Sequence, residues 1–129
     1  MLVVRTSLRP SSIHGVGVFA EEPIAKGQLV WVFEPRIDIR IPLKDLAGFP
    51  LAAQQFMQTC SYEELFEGER VLVVCADNGR FVNHSDQPNC IDSEVERLQT
   101  AARDIPVGEE LTCNYYLSDL AAAEKLGQV

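Results

Sequence analysis

The chain has 129 residues, 47% of them hydrophobic and 23% charged, which suits one domain with its own core and excludes wholesale disorder or two independent units. Its 19 acidic residues against 11 basic ones give a formal net charge of −8. That balance excludes a nucleic-acid backbone as the main partner, since phosphate binding needs clustered Lys and Arg, and would steer a basic peptide or cationic small molecule toward the surface instead.

The N-terminal stretch "MLVVRTSLRPSS" has a very short apolar run unlike a signal peptide, and no segment approaches membrane-spanning length. The expectation is a soluble protein of a reducing cytoplasm with no membrane association. Period-two alternation and β-branched residues predict short strands at Leu2 to Leu8, Val16 to Ala20 and Gln28 to Phe33, punctuated by Gly15, Gly17, Pro23, Gly27 and Pro35. In "RIDIRI", Ile37, Ile39 and Ile41 share one face and the charges take the other.

From Leu43 the pattern becomes helical. One helix is predicted at about Leu51 to Cys60, preceded by a single turn at Leu43 to Leu46, with Pro42 and Pro50 at their starts. Strands follow at roughly Glu64 to Glu67 and Arg70 to Ala76, joined as a hairpin through Glu67-Gly68-Glu69. Extended "LQTAARDI" and "ELTCNYY" come next, and Ser118 is expected to cap a last helix through about Lys125. "AEEPIAKGQL" and "AARDIPVGEEL" echo one another as turns entering strands, too briefly to define a repeat. The result is a compact, mostly-β domain of many short strands with one inserted helix.

Cys60, Cys75, Cys90 and Cys113 form no CxxC pair, which speaks against a metal site, and at least two of them sit in apolar strands and read as small buried hydrophobes. Three polar stretches carry candidate chemistry. "HGVGVFA", His14 to Ala20, lets the backbone approach a ligand or simply turn a hairpin, and it lacks the helix of a dinucleotide fingerprint. "RFVNHSDQPNC", Arg80 to Cys90, follows the apolar "VLVVCA", so Asn83 and His84 leave a buried strand and need partners from the protein or a ligand. The alternative is a loop whose side chains cap their own backbone. In "PVGEELTCNYY", a strand would turn Tyr115 and Tyr116 to opposite faces, one packed and one lining a pocket.

Taken together and in this order, "HGVGVFA" with "IAKG", "RFVNHSDQPN" and "DIPVGEELTCNY" resemble the SET domain family of protein-lysine methyltransferases. The resemblance covers both ends of the chain, while about Arg36 to Asp77 matches in length and character alone and reads as a variable insert carrying the helix. It implies a single SET domain over 1–129 with a β-clip of small curved sheets. A threaded C-terminal segment would pass under the loop carrying "NHS", and a short tail would span 117–129. It also implies S-adenosyl-L-methionine as cofactor, with Gly15, Val16, Gly17, Arg80, Asn83, His84 and Tyr115 around it. Tyr115 matches the catalytic tyrosine, and Cys113 and Tyr116 would border a substrate channel for a lysine of a basic protein or peptide.

Two departures matter. The position after "NHS" is Asp86 and the tail "LSDLAAAEKLGQV" has no cysteine, so the zinc-bound lid of many members lacks its ligands and no metal is expected. Either the last helix, with Leu117, Leu120 and Leu126, closes the site or a second subunit does, which makes a homodimer an expectation to test. Cys113 stands where the family usually has Phe or Tyr. Either it widens the channel for already methylated lysine or it is simply a core cysteine. A module that binds cofactor or a partner without turnover is the competing reading, since fold does not settle function.

Overall fold

The computed structural model describes residues 1–127; Gln128 and Val129, the end of the expected tail, lie outside the described residues. Among the described residues the strands form four small sheets. Strands β1 (Thr6–Pro10) and β2 (Val16–Ala20) form an antiparallel hairpin. Strand β3 (Leu29–Val32) pairs with β9 (Leu98–Ala101), which pairs with β8 (Cys90–Asp92). The insert builds a third sheet, in which β6 (Glu69–Cys75) lies between β4 (Asp38–Pro42) and β5 (Ser61–Phe66). In the fourth, β7 (Asn83–His84) runs parallel to β10 (Thr112–Cys113), with Asn83 opposite Thr112 and His84 opposite Cys113.

That parallel pair explains the threading. On one side Leu111 N–H donates to Val18 O (2.7 Å) of β2, and on the other Ser85 N–H donates to Cys113 O (3.0 Å). Asn89 completes the clamp: its Oδ1 accepts from Thr112 N–H (2.8 Å) and its Nδ2 donates to Glu110 O (2.8 Å). The C-terminal segment is thus held between β2 and the polar loop, with the Leu111 and Thr112 amides both partnered.

The sequence echo turns out to be a local pseudo-twofold. Ile24 and Ile105 exchange backbone hydrogen bonds at 2.9 and 2.8 Å. Gly27 N–H donates to Ala101 O and Gly108 N–H to Ala20 O, both at 2.8 Å, while Ala101 N–H reaches Gln28 O and Ala20 N–H reaches Glu109 O, both at 2.9 Å. The matching residues Ala20 and Ala101, and Ile24 and Ile105, sit in one core with Val4, Val18, Val30, Cys90 and Leu111. A smaller core of Leu46, Met57 and Leu72 lies under the insert. There a 3-10 stretch (Leu43–Gly48) and helix α1 (Leu51–Thr59) start after Pro42 and Pro50, as expected.

Three expectations need correction. In β4 one charge departs from the expected outer face: Asp38 is buried (1% exposed), while Ile39 is 45% exposed and Ile41 packs against the smaller core described above. Asp38 is turned inward by polar partners, its Oδ2 accepting from Glu34 N–H (2.8 Å) and from the Met1 amino group (2.7 Å). The strand through "TCNYY" ends at Cys113, because Asn114 caps a helical turn, α2 (Tyr115–Ser118), with its Oδ1 accepting from Tyr116 N–H (3.0 Å). The tail is two single turns rather than one helix capped by Ser118. Asp119 adopts extended backbone between them, and α3 (Ala122–Lys125) follows Ala121 without a side-chain cap.

Candidate active site

The loop before β2 is organised by one hydroxyl. Ser11 Oγ accepts from Ile13 N–H (2.9 Å), His14 N–H (3.3 Å) and Asn83 Nδ2 (3.1 Å), and donates to Glu110 Oε2 (3.0 Å). Gly15 takes φ +49°, which favours glycine, and a Cβ at Gly17 would press on the far end of the Glu110 side chain, which would have to shift. Buried Asn83 spends its Nδ2 on His14 O (3.0 Å) and Val16 O (3.3 Å) besides Ser11, which ties "HGVG" to "NHS". Its Oδ1 accepts no hydrogen bond from the described residues and remains as an acceptor.

His84 is fixed at both nitrogens. Nδ1 accepts from Tyr115 N–H (3.1 Å), so the ring proton belongs on Nε2, 3.0 Å from Asp86 Oδ1. Both tyrosines flank this ring, with centroids 5.3 Å away for Tyr115 and 5.6 Å for Tyr116, rather than facing opposite ways. The Tyr115 hydroxyl donates to Val82 O at 2.6 Å. Burial first, then the nearby Cys113, Asp119 and Glu110, pushes its acidity well below that of an ordinary phenol, so it stays a protonated donor.

Beyond Tyr115 opens a cavity of about 460 Å³ bordered by Trp31, Arg80, Asp92, Cys113, Tyr115 and Tyr116. Gly15, Val16, Gly17, Asn83 and His84 do not line it, so the expected site residues fall into two groups that meet at Tyr115. Arg80 belongs to the cavity group. Its guanidinium lies 4.9 Å from the Phe81 ring centroid and 5.7 Å from that of Phe56, and its buried Nε has no partner among the described residues. Cys113 is 7% exposed, and burial raises its thiol far above the usual range, so it is an inert neighbour of Tyr115. Cys90 and Cys75 are also buried thiols, each pushed up to about 12 by desolvation.

Sequence reasoning missed Ser11, Glu110 and the Val82 carbonyl, and read Asp86 as the loss of a zinc ligand without seeing it as the partner of His84. For Glu110 the sequence carried no signal, since its neighbours Ser11 and Gly17 lie far away in the chain and only the fold brings them together. The donor set suits S-adenosyl-L-methionine on chemistry, since Asn83 Oδ1 can accept from an ammonium, Arg80 Nε can donate to an anion, and the glycine loop admits a close backbone approach.

The SET domain family model matches residues 15–116, and the chain belongs to that family. It is 30% identical over 115 residues to the histone-lysine N-methyltransferase SETD1 of Drosophila melanogaster, covering 81% of this chain and 7% of the relative. To the histone-lysine N-methyltransferase ATX2 of Arabidopsis thaliana it is 28% identical over 119 residues, covering 86% and 11%. The chain therefore spans only about a tenth, or less, of the length of these curated relatives. Among solved structures, Chaetomium thermophilum Polycomb Repressive Complex 2 in an autoinhibited conformation bound to S-adenosylmethionine gives a TM-score of 0.65 at 24% identity, covering 97% of this chain and 17% of that chain. A provisionally assigned histone methyltransferase of Plasmodium falciparum gives 0.60 at 21% identity, covering 87% and 93%. At these identities the likeness establishes the fold, a mostly-β SET architecture.

Proposed function

We propose that the chain is a protein-lysine N-methyltransferase that moves a methyl group from S-adenosyl-L-methionine to a lysine side-chain amine of a basic protein segment. The observation that carries this reading is the position of Tyr115, whose backbone N–H anchors His84 while its hydroxyl sits at the cavity on Val82 O. Cofactor and acceptor would meet there from opposite sides. The relatives' names, which give histone-lysine methylation, support the acceptor class.

Gly15, Val16, Gly17, Asn83 and His84 would hold the cofactor, and Arg80 would supply a buried donor at the border of the cavity. When bound, the cofactor supplies an electrophilic methyl on a sulfonium. The chain's share of the work is positioning and exclusion of water, because in-line displacement needs a neutral amine held close and aligned. Burial in the cavity disfavours the ammonium form and so helps the lysine lose its proton before transfer. Tyr115 keeps its own proton and orients the amine, while the small Cys113 leaves room beside it for a lysine that already carries methyl groups.

Tyr115→Phe tests the assignment. We expect calorimetric affinity for S-adenosyl-L-methionine within about twofold of wild type, and turnover on basic proteins reduced by about a hundredfold or more. Wild-type turnover would remove Tyr115 from the chemistry. Wild-type protein that binds cofactor but labels no basic protein would select a binding module instead.

A further inference from the structure

The strand that borders the cavity has its free edge filled by the chain's own C-terminal segment. One edge of β5 pairs with β6, so the opposite backbone groups of Ser61 and Glu63 are those an added strand would take. Here Leu120 N–H donates to Glu63 O (2.9 Å), and Asp119 Oδ1 accepts from Glu63 N–H (2.9 Å) and Ala121 N–H (2.9 Å). Lys125 Nζ pairs with Asp119 Oδ2 (2.6 Å) and donates to Ser61 O. Ser61, Glu63, Asp119, Leu120 and Lys125 all border the same cavity as Tyr115.

The attachment is polar rather than apolar. Leu117 and Leu120 are 68% and 54% exposed, so the segment gains little from burying its hydrophobes. The Lys125–Asp119 pair, in contrast, is sheltered, with side chains 19% and 4% exposed. The acidic side chains nearby are engaged in the same manner: Glu63 by Arg70, and Glu64 by Arg40 and Arg97. On the β5 side the cavity's carboxylates are therefore already paired from within, while Asp92 across it has no cation against it among the described residues.

We propose that Ser118 to Lys125 is an internal competitor for the acceptor groove: its backbone takes the β5 edge, Lys125 supplies the cation, and a basic partner docks by exchange. The inference rests on the reading that the Tyr115 cavity receives a lysine. As held, Lys125 blocks the groove and is not presented as an acceptor, because its nitrogen is engaged by Asp119 Oδ2 and Ser61 O rather than turned toward Tyr115.

The test needs no turnover. A fluorescein-labelled nonapeptide of alternating Lys and Ala is titrated by anisotropy into the full chain as wild type, Lys125→Ala and Lys125→Arg. Hydrogen exchange is followed at the Leu120 and Ala121 amides of wild type with and without saturating peptide. We expect Lys125→Ala to bind about tenfold tighter, Lys125→Arg to match wild type, and peptide to expose both amides. Equal affinity for wild type and Lys125→Ala, or tail amides that stay protected under saturating peptide, would overturn the proposal. Peptide exchange without methyl transfer in a parallel assay upholds the competitor and removes the catalytic reading. Methyl transfer with the tail still protected does the opposite, and no binding by any form removes both.

Discussion

At the scale of single residues, the structure separates side chains that shape the site from those left available to a ligand. Asn89 shapes it: 3% exposed, it spends its whole amide on the C-terminal segment, including Glu109 Oε2 at 3.2 Å. Its role in shaping the loop was legible in "NHSDQPN", but its partners were not, since they lie 20 or more positions later. Asp92 is the opposite case. One oxygen accepts from Gln99 Nε2 (2.9 Å), the other is buried without a partner, and burial raises the carboxyl above its ordinary 3.8. An acid with a raised folded pKa stabilises the fold only at low pH, and that contribution is lost as pH rises through the folded value. Asp92→Asn should therefore raise the urea midpoint at pH 7, with the gain shrinking as pH falls toward 3.8. A gain that does not change with pH would mean the carboxylate charge is not the cause.

At the scale of elements, local signals were read well and long-range ones poorly. Strand β2 and helix α1 follow from alternation and from Pro50, both properties of a few adjacent residues. The error in β4 arose because alternation cannot see that Asp38 finds buried partners in Glu34 and Met1. The error at Tyr115 arose because a single side chain, Asn114, outweighs the β-propensity of two tyrosines. The echo was under-read, since its meaning is spatial: two turns clasp across a pseudo-twofold at Ile24 and Ile105. That symmetry makes a prediction. Gly27 and Gly108 hold φ of +81° and +87°, and a Cβ at either would meet nothing within 4 Å. Gly27→Ala and Gly108→Ala should each lose about 1 kcal/mol from backbone strain alone, equal within error in chemical denaturation. A large difference between them would show that the two turns are not equivalent.

At the scale of the molecule, net charge was readable at once, whereas the arrangement of that charge was not. The −8 balance suggests an open acidic surface, yet Glu63, Glu64 and Asp119 at the cavity are matched to Arg40, Arg70, Arg97 and Lys125. Attraction of a basic partner must then come in two parts. A long-range part follows the whole field and is screened over a Debye length of about 8 Å at physiological salt. A short-range part arises as internal ion pairs are exchanged for new ones, and is screened much less. Salt separates the two: raising it from about 0.03 to about 0.3 M should slow association of the Lys-Ala nonapeptide by roughly tenfold while its dissociation rate changes by less than about twofold. Stopped-flow anisotropy measures both rates in one series. If salt acts mainly on dissociation, the partner is held by exposed carboxylates, and the internal pairing around the cavity does not govern its capture.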